Sequence, residues 1–277
     1  MKRFLCVPLL IVMIISAGYS AQSKKLKVAG STTVLPISQL WLEAFMKKHP
    51  EVEGSISGGG TGVGISMLLN GTCDIANASR EAKKKEIDSA KDRNMKLIAT
   101  KVARDGLAIV VNLSNNVDNL TLEQLKQIYL GKINNWSQVG GANLPIVAVG
   151  RDISSGTYGF FQESVLGGGK YRKDMLALAS NAAVEHAVEQ SLGAIGYVGM
   201  GYVDPKKVKV VSISRKKGEK GMMPTEETVM SGKYPLFRYL YCYTLGEPKG
   251  VVAEFLRFVT GAEGQALVKK AGYLPIK

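Results

Sequence analysis

Apolar residues along this chain follow two spacings that alternate from one end to the other. Nearly continuous apolar runs such as residues 106–112 are typical of strands in a buried parallel sheet, and apolar residues three and four positions apart predict helices. Strands are predicted at residues 25–30, 96–100, 106–112, 146–149, 193–198, 208–213 and 235–244, with two more before residue 81. Helices are predicted at residues 37–45, 63–69, 81–93, 121–129, 158–166, 181–189, 251–259 and 263–270. The alternation predicts an α/β fold with parallel-rich sheets, whose ligands bind at the carboxyl ends of the strands.

The amino-terminal segment has the composition of a secretory signal peptide. Lys2 and Arg3 precede an apolar run at residues 4–15, and small residues follow it. The run is shorter than the roughly 20 residues that a membrane-spanning helix needs. We therefore assign residues 1–23 to the signal-peptide region, with cleavage after Gly18 or Ser20, and expect the remaining chain to be exported and soluble.

Four loops between a predicted strand and a predicted helix are rich in glycine and hydroxyl residues. They lie at residues 30–33, 57–62, 74–80 and 151–157. Backbone N–H groups at a helix start have no partner within the helix, and together with the helix dipole they attract anions. One such loop is explained by a hydroxyl that caps its helix beside a surface arginine. Four of them predict loops that converge on a common anion, to which an arginine can add a bidentate fork.

The same loops carry a family resemblance. The chain resembles the periplasmic phosphate-binding proteins of bacterial ABC phosphate transporters, in segments that follow the order of that family and span nearly the whole exported chain. The matching segments are residues 28–34, 59–64, 74–80, 104–106, 151–157, 192–197 and 234–238.

The resemblance implies a two-lobed periplasmic-binding-protein (Venus-flytrap) fold with two crossing strands, near residues 104–105 and 234–238. Lobe 1 would comprise residues 24–104 and 237–277, and lobe 2 residues 105–236. It also implies a periplasmic monomer that binds inorganic phosphate with high affinity in the cleft between the lobes. The protein would deliver the phosphate to the membrane subunits of an ABC phosphate permease.

The resemblance assigns the phosphate ligands position by position. The expected phosphate-binding residues are Ser31, Thr32, Thr33, Thr61, Ser79, Arg80, Asp105, Arg151, Ser155, Gly156 and Thr157. Many members of the family have an aspartate where this chain has Arg80, and a subset has arginine there. Arg80 either contacts the anion, directly or through water, or braces its loop.

The replacement by Arg80 removes the usual acceptor for the proton of hydrogen phosphate. Selection of phosphate over sulfate needs such an acceptor. Asp105 is the first candidate for it and Asp152 the second. A salt bridge from Asp105 to Arg104 or Arg151 at the crossing is the structural alternative.

Other functions remain open at this point. The anion could be sulfate or molybdate, the protein could be a secreted hydrolase of phosphate esters, or it could be a surface protein with a vestigial site. An enzyme needs a base, a nucleophile or a metal. The chain has no GxSxG or GxxxxGK[ST] motif and no base evident beside Ser79 or Ser155. We therefore expect a binding protein and not an enzyme.

Charge and cysteine content narrow the partners further. The formal net charge of the chain is +13. Its lysines and arginines are scattered along the sequence and form no basic helix with interleaved aromatic residues, which argues against nucleic-acid binding. His49 and His186 are the two histidines, so a His/Cys metal site is not expected, and no cofactor is implied. Cys73 and Cys242 remain after export, and free thiols are favoured over a disulfide.

Overall fold

The structure, a computed structural model, describes residues 24–276, so the predicted signal peptide lies outside the described residues. The strands are β1 (Lys24–Gly30), β2 (Val52–Gly59), β3 (Ile75–Ala78), β4 (Leu97–Asn112), β5 (Asn119–Thr121), β6 (Val147–Arg151), β7 (Leu176–Leu178), β8 (Ala194–Gly199), β9 (Val208–Ser214) and β10 (Phe237–Leu245). The α-helices are α1 (Leu35–Lys48), α2 (Thr61–Leu69), α3 (Lys84–Lys91), α4 (Leu122–Tyr129), α5 (Gly156–Ser164), α6 (Asn181–Gln190), α7 (Glu226–Met230), α8 (Gly250–Thr260) and α9 (Ala262–Lys270). Within this range no helix combines the length and the apolar character needed to cross a bilayer.

Strand β4 connects two groups of strands. Its first part pairs with β10, which pairs on its other side with β3, and β1 then lies between β3 and β2. The second part of β4 pairs with β8 and β9, and β6 joins β8 to β7. The pairs β1–β2, β1–β3, β5–β9, β6–β7 and β6–β8 are parallel. The mixed, parallel-rich topology confirms the predicted α/β fold class.

Each group of strands has its own aromatic core. Trp41, Phe45 and Phe255 are buried in the cluster that covers the β1 side, and the rings of Phe45 and Phe255 lie 5.3 Å apart. On the β8 side Phe161 stacks on Tyr197 at 4.3 Å. Separate cores are what two lobes need to bury apolar surface independently. The lobe boundaries at 104/105 and 236/237 stay predictions.

The predicted strands at residues 96–100 and 106–112 are one strand in the structure. The charged residues Arg104 and Asp105 lie between the two predicted segments. Both residues nevertheless stand in the β ladder, where Asp105 is paired with Arg238 and Arg104 with Tyr239. The opposite charge on β10 allows the carboxylate to be buried without ending the strand.

Helix α3 is shorter than the predicted helix at residues 81–93. It begins at Lys84, because the Glu86 side chain accepts the backbone N–H of Lys83 at 2.7 Å and so caps the helix there. Ser79 and Arg80 consequently lie in an extended loop and not at a helix start. The apolar pattern gives no signal for β5, β7 and α7, because each has five residues or fewer and too few positions to show a period.

Candidate anion-binding site

The loop after β1 brings three hydroxyl residues into the interior. Ser31, Thr32 and Thr33 are all buried, and Ser31 Oγ accepts the backbone N–H of Thr33 at 3.2 Å. Gly30 makes this turn possible, since its φ is +127° and a Cβ there would lie 2.4 Å from the carbonyl oxygen of Asn77. The loop therefore runs directly against β3.

The loops after β2 and β3 meet each other. Thr61 is the first residue of α2 and is buried, and its Oγ1 accepts the backbone N–H of Ser79 at 3.1 Å. The two hydroxyl oxygens of Thr61 and Ser79 are 3.5 Å apart. Two of the predicted loops thus share one hydrogen-bonded contact.

The amino terminus of α5 lies against those loops. Ser155 caps the helix, with its Oγ accepting the backbone N–H groups of Thr157 and Tyr158 at 3.1 and 3.3 Å. A Cβ at Gly156 would lie 2.2 Å from Thr61 Oγ1, so only glycine fits this approach. Thr157 Oγ1 lies 3.0 Å from Thr33 Oγ1. Helix α5 thereby joins the loops after β1, β2 and β3. The buried hydroxyl residues brought together here form the hydroxyl cluster: Ser31, Thr32, Thr33, Thr61, Ser79, Ser155 and Thr157.

Arg151 is fully buried at the carboxyl end of β6. Its relative exposure is 1%, and its Nε and Nη2 donate to the carbonyl oxygens of Leu178 and Ala179 at 3.1 and 2.8 Å. Burial lowers the pKa of the Arg151 guanidinium. Nη1 is buried with no hydrogen-bond partner. An unpartnered buried N–H of a cation is unfavourable, and a bound anion would satisfy it.

Arg80 lies in a different environment from the hydroxyl cluster. Its two terminal nitrogens donate to the two carboxylate oxygens of Glu86, each at 2.8 Å, and Nη1 also donates to the carbonyl oxygen of Glu81. Of the two roles that the sequence left open, this geometry corresponds to bracing the loop.

Asp105 is paired, but with neither of the partners considered from the sequence. It has 0% exposure, and its Oδ2 accepts Arg238 Nε at 2.8 Å. Its Oδ1 accepts the backbone N–H of Met200 at 3.0 Å. The carboxylate therefore joins β10 to the turn after β8.

Three residues outside the predicted set touch the hydroxyl cluster. Arg238 Nη1 donates to Thr157 Oγ1 at 3.1 Å. Asn181 Nδ2 donates to Thr33 Oγ1 at 3.2 Å, and the Tyr202 hydroxyl donates to the Thr32 carbonyl at 2.5 Å. The only sequence signal for Arg238 was its position in the segment 234–238, where a charged residue ends an otherwise uncharged run.

The cluster has the donors that a tetrahedral oxyanion requires. Hydroxyls, the amino terminus of α5 and a buried arginine with an unpartnered nitrogen all belong to the protein interior. Charged hydrogen bonds are strongest in such surroundings.

Sequence comparison decides the family. A family model described as a PBP superfamily domain matches residues 16–263. The phosphate-binding protein PstS of Bacillus subtilis is 32% identical over 260 residues, which cover 94% of this chain and 83% of that protein. The chain belongs to the PstS family of phosphate-binding proteins. The PstS protein of Pseudomonas aeruginosa is likewise 32% identical, over 93% of this chain and 84% of its own length.

Solved structures agree with the PstS assignment. A Clostridium perfringens protein described as a phosphate ABC transporter substrate-binding protein with bound phosphate superimposes with a TM-score of 0.83 at 31% identity, covering 92% of this chain and 100% of that chain. An ABC-type phosphate transport receptor from Vibrio cholerae gives a TM-score of 0.74 at 32% identity, covering 90% of this chain and 99% of its own. The two-lobed fold of binding proteins is therefore the fold of this chain.

Proposed function

We propose that this protein binds inorganic phosphate in the hydroxyl cluster and delivers it to an ABC-type phosphate import permease. The observation that carries the proposal is Arg151, whose Nη1 has no partner although the side chain is buried at the end of β6, the strand that leads into α5. The relatives are named as phosphate-binding proteins, and one neighbouring structure is described as holding phosphate.

The proposed ligand set follows from the sequence, except that Arg80 and Asp105 are left out as direct ligands because each is paired within the protein. Arg151, the hydroxyls of the cluster and the N–H groups at the start of α5 donate to the phosphate oxygens. Arg80 holds its loop through Glu86. The proposed direct ligands are Ser31, Thr32, Thr33, Thr61, Ser79, Arg151, Ser155, Gly156 and Thr157.

Export and delivery are part of the same proposal. The signal-peptide region at residues 1–23 directs the protein to the periplasm and is cleaved. In the periplasm the protein acts as a monomer and meets the permease. Cell fractionation and mass determination of the exported chain test this. A chain that keeps Met1 or stays in the cytoplasm would refute the export step.

The binding proposal is tested by calorimetric titration with phosphate, sulfate and molybdate in parallel. We expect saturable binding of phosphate with one site per chain and weaker binding of the other two. Tighter binding of sulfate or molybdate would assign the site to that oxyanion. Release of nitrophenol from nitrophenyl phosphate, measured in the same preparation, tests the hydrolase alternative, and we expect none above the buffer rate.

A further inference from the structure

We propose that Arg238 is a second guanidinium ligand of the bound anion and that Asp105 is the residue that positions it. The inference rests on the proposed function, because it adds a ligand and a positioning residue to the same site. It also changes the role of Asp105 from acceptor of the phosphate proton to support for a donor.

Arg238 lies between the loops that form the site. Its exposure is 4%, and its Nη1 donates both to Thr157 Oγ1 at 3.1 Å and to the Ser79 carbonyl at 3.2 Å. Thr157 in turn contacts Thr33 at 3.0 Å. A side chain on the connecting strand β10 thus touches residues from the loop after β3 and from helix α5. An anion bound among these hydroxyls would lie beside the Arg238 guanidinium.

The guanidinium has unused hydrogen-bonding capacity. Arg238 Nη2 is buried and lies 2.7 Å from Asp105 Oδ2 in the ion pair, and it contacts no other acceptor. Because a terminal guanidinium nitrogen carries two hydrogens, one of them remains for a ligand. Arg151 Nη1 is also buried, and it has no partner at all. Two buried arginines that each keep an N–H group without an acceptor are the arrangement that a multivalent oxyanion satisfies.

Charge balance explains why Asp105 is present. Two buried guanidinium groups without a counter-ion would be unfavourable in the absence of ligand. After burial itself, the nearby Arg238 charge contributes to the lowered pKa of Arg151, while the Asp152 carboxylate opposes it. Asp105, which has 0% exposure, neutralises Arg238 and is itself held by the Met200 N–H. Both of its oxygens are therefore engaged by protein donors.

The decisive experiment is calorimetric titration with phosphate of four proteins: wild type, Arg238→Gln, Asp105→Asn and the double variant. We expect Arg238→Gln to weaken binding about 10- to 100-fold, the range for loss of one charged hydrogen-bond partner. The double variant removes both members of the Arg238–Asp105 pair, so neither charge is left buried without the other, and we expect its phosphate binding to remain weakened by the same range. Arg104→Gln is the matched control. Arg104 immediately precedes Asp105 on β4, and its terminal nitrogens donate to the carbonyls of Met230 and Ile276.

The double variant distinguishes two roles of Arg238, as a ligand of phosphate or only as the counter-ion of Asp105. If it binds phosphate with wild-type affinity, Arg238 serves only to neutralise Asp105, and the proposal is overturned. If circular dichroism shows that Arg238→Gln alone does not fold, the proposal is tested with the double variant and with Arg238→Lys. Lysine keeps the charge but not the planar fork, so we expect weaker binding from it as well. Absence of oxyanion binding by wild type would instead refute the proposed function.

The role of Asp105 is tested by the pH dependence of Asp105→Asn. A positioning residue supports a donor that serves phosphate and sulfate alike. We therefore expect Asp105→Asn to weaken the binding of both anions by similar factors. The ratio of phosphate affinity to sulfate affinity should then equal that of wild type at each pH between 6 and 8. A ratio that shifts toward sulfate, with a flattened pH dependence, would assign the proton-acceptor role to Asp105 and overturn this part of the proposal.

Discussion

At the scale of single residues, the orientation of Arg151 is fixed before any anion arrives. Two of its nitrogens are held by the carbonyls of Leu178 and Ala179, on β7 and just after it. This leaves one nitrogen for a ligand. A donor that is already oriented loses little conformational entropy when the anion binds.

Arg151→Ala is expected to weaken phosphate binding by about 1.5–3 kcal/mol, or one to two decades in Kd, since a charged hydrogen-bond partner is lost. Arg151→Lys should lose less, because the charge stays while the planar fork is lost. Titration calorimetry measures both, with thermal unfolding as the check that each variant folds. Wild-type affinity in the alanine variant would remove Arg151 from the site.

The two cysteines of the described chain are predicted to be unreactive thiols. Burial, with a smaller contribution from the Asp74 carboxylate, raises the pKa of Cys73 to about 11, and burial raises that of Cys242 to about 12. Both thiols are free, as expected from the sequence. A raised pKa leaves little of the nucleophilic thiolate near neutral pH. Ellman's reagent at pH 7.5 should react with a chain that starts at Lys24 only after denaturation, and rapid labelling of the native protein would contradict the burial.

At the scale of elements, the loop before α5 is fastened to the amino terminus of α2. The Gly62 N–H donates to the Ser154 carbonyl at 2.9 Å, and Ser154 Oγ donates to the Gly59 carbonyl at 2.9 Å. A Cβ at Gly60 would lie 2.6 Å from the Ser154 carbonyl oxygen, so the contact needs glycine there. These bonds join the two groups of strands without using the anion.

Ser154→Ala should therefore speed phosphate release about two- to tenfold, the effect of one neutral hydrogen bond. The backbone bond to Gly62 remains in this variant, which limits the loss. Stopped-flow measurement of the dissociation rate checks it. Ile153→Ala is the control, because Ile153 is the neighbouring residue and is 77% exposed. Equal release rates for Ser154→Ala and wild type would show that this contact does not hold the cleft closed.

At the scale of the molecule, β4 and β10 form the antiparallel link between two separately packed cores. The contacts between the cores at the site are mostly hydrogen bonds between loops, such as Thr33 with Thr157 and Gly62 with Ser154. Polar loop contacts can break and re-form while the cores stay intact, which permits a hinge motion about the paired strands.

Phosphate is expected to make the molecule more compact. Anion binding adds hydrogen bonds across the cleft, so the closed arrangement should be favoured, and small-angle scattering should report a smaller radius of gyration at saturating phosphate. Gly60→Ala supplies the open reference, because the added methyl group meets the Ser154 carbonyl. Closure would be contradicted if ligand-free wild type were as expanded as Gly60→Ala and its scattering profile did not change when phosphate was added.

Local signals in the sequence were sufficient for most elements. Thr121 and Gln124 have the spacing of a capping box, and the structure contains one, with Gln124 N–H donating to the Thr121 hydroxyl at 3.0 Å and Thr121 N–H donating to the Gln124 side chain at 2.8 Å. Ser155 likewise caps α5. Such features involve residues three or four positions apart, and their energetics depend little on the rest of the fold. The sequence also singled out the loops that the structure brings together.

The sequence could not determine which arginine pairs with which carboxylate. Asp105 pairs with Arg238 across 133 residues, because β10 returns to lie between β3 and β4. Arg80 turns to Glu86, whose position depends on where α3 begins. Charge pairing acts at a distance of a few ångströms, and the chain reaches those distances only after the strands have found their register. The sequence by itself determined most of the elements and the loops that could hold an anion. Only the tertiary structure decided which arginines pair with a carboxylate and which arginine has a nitrogen without a partner.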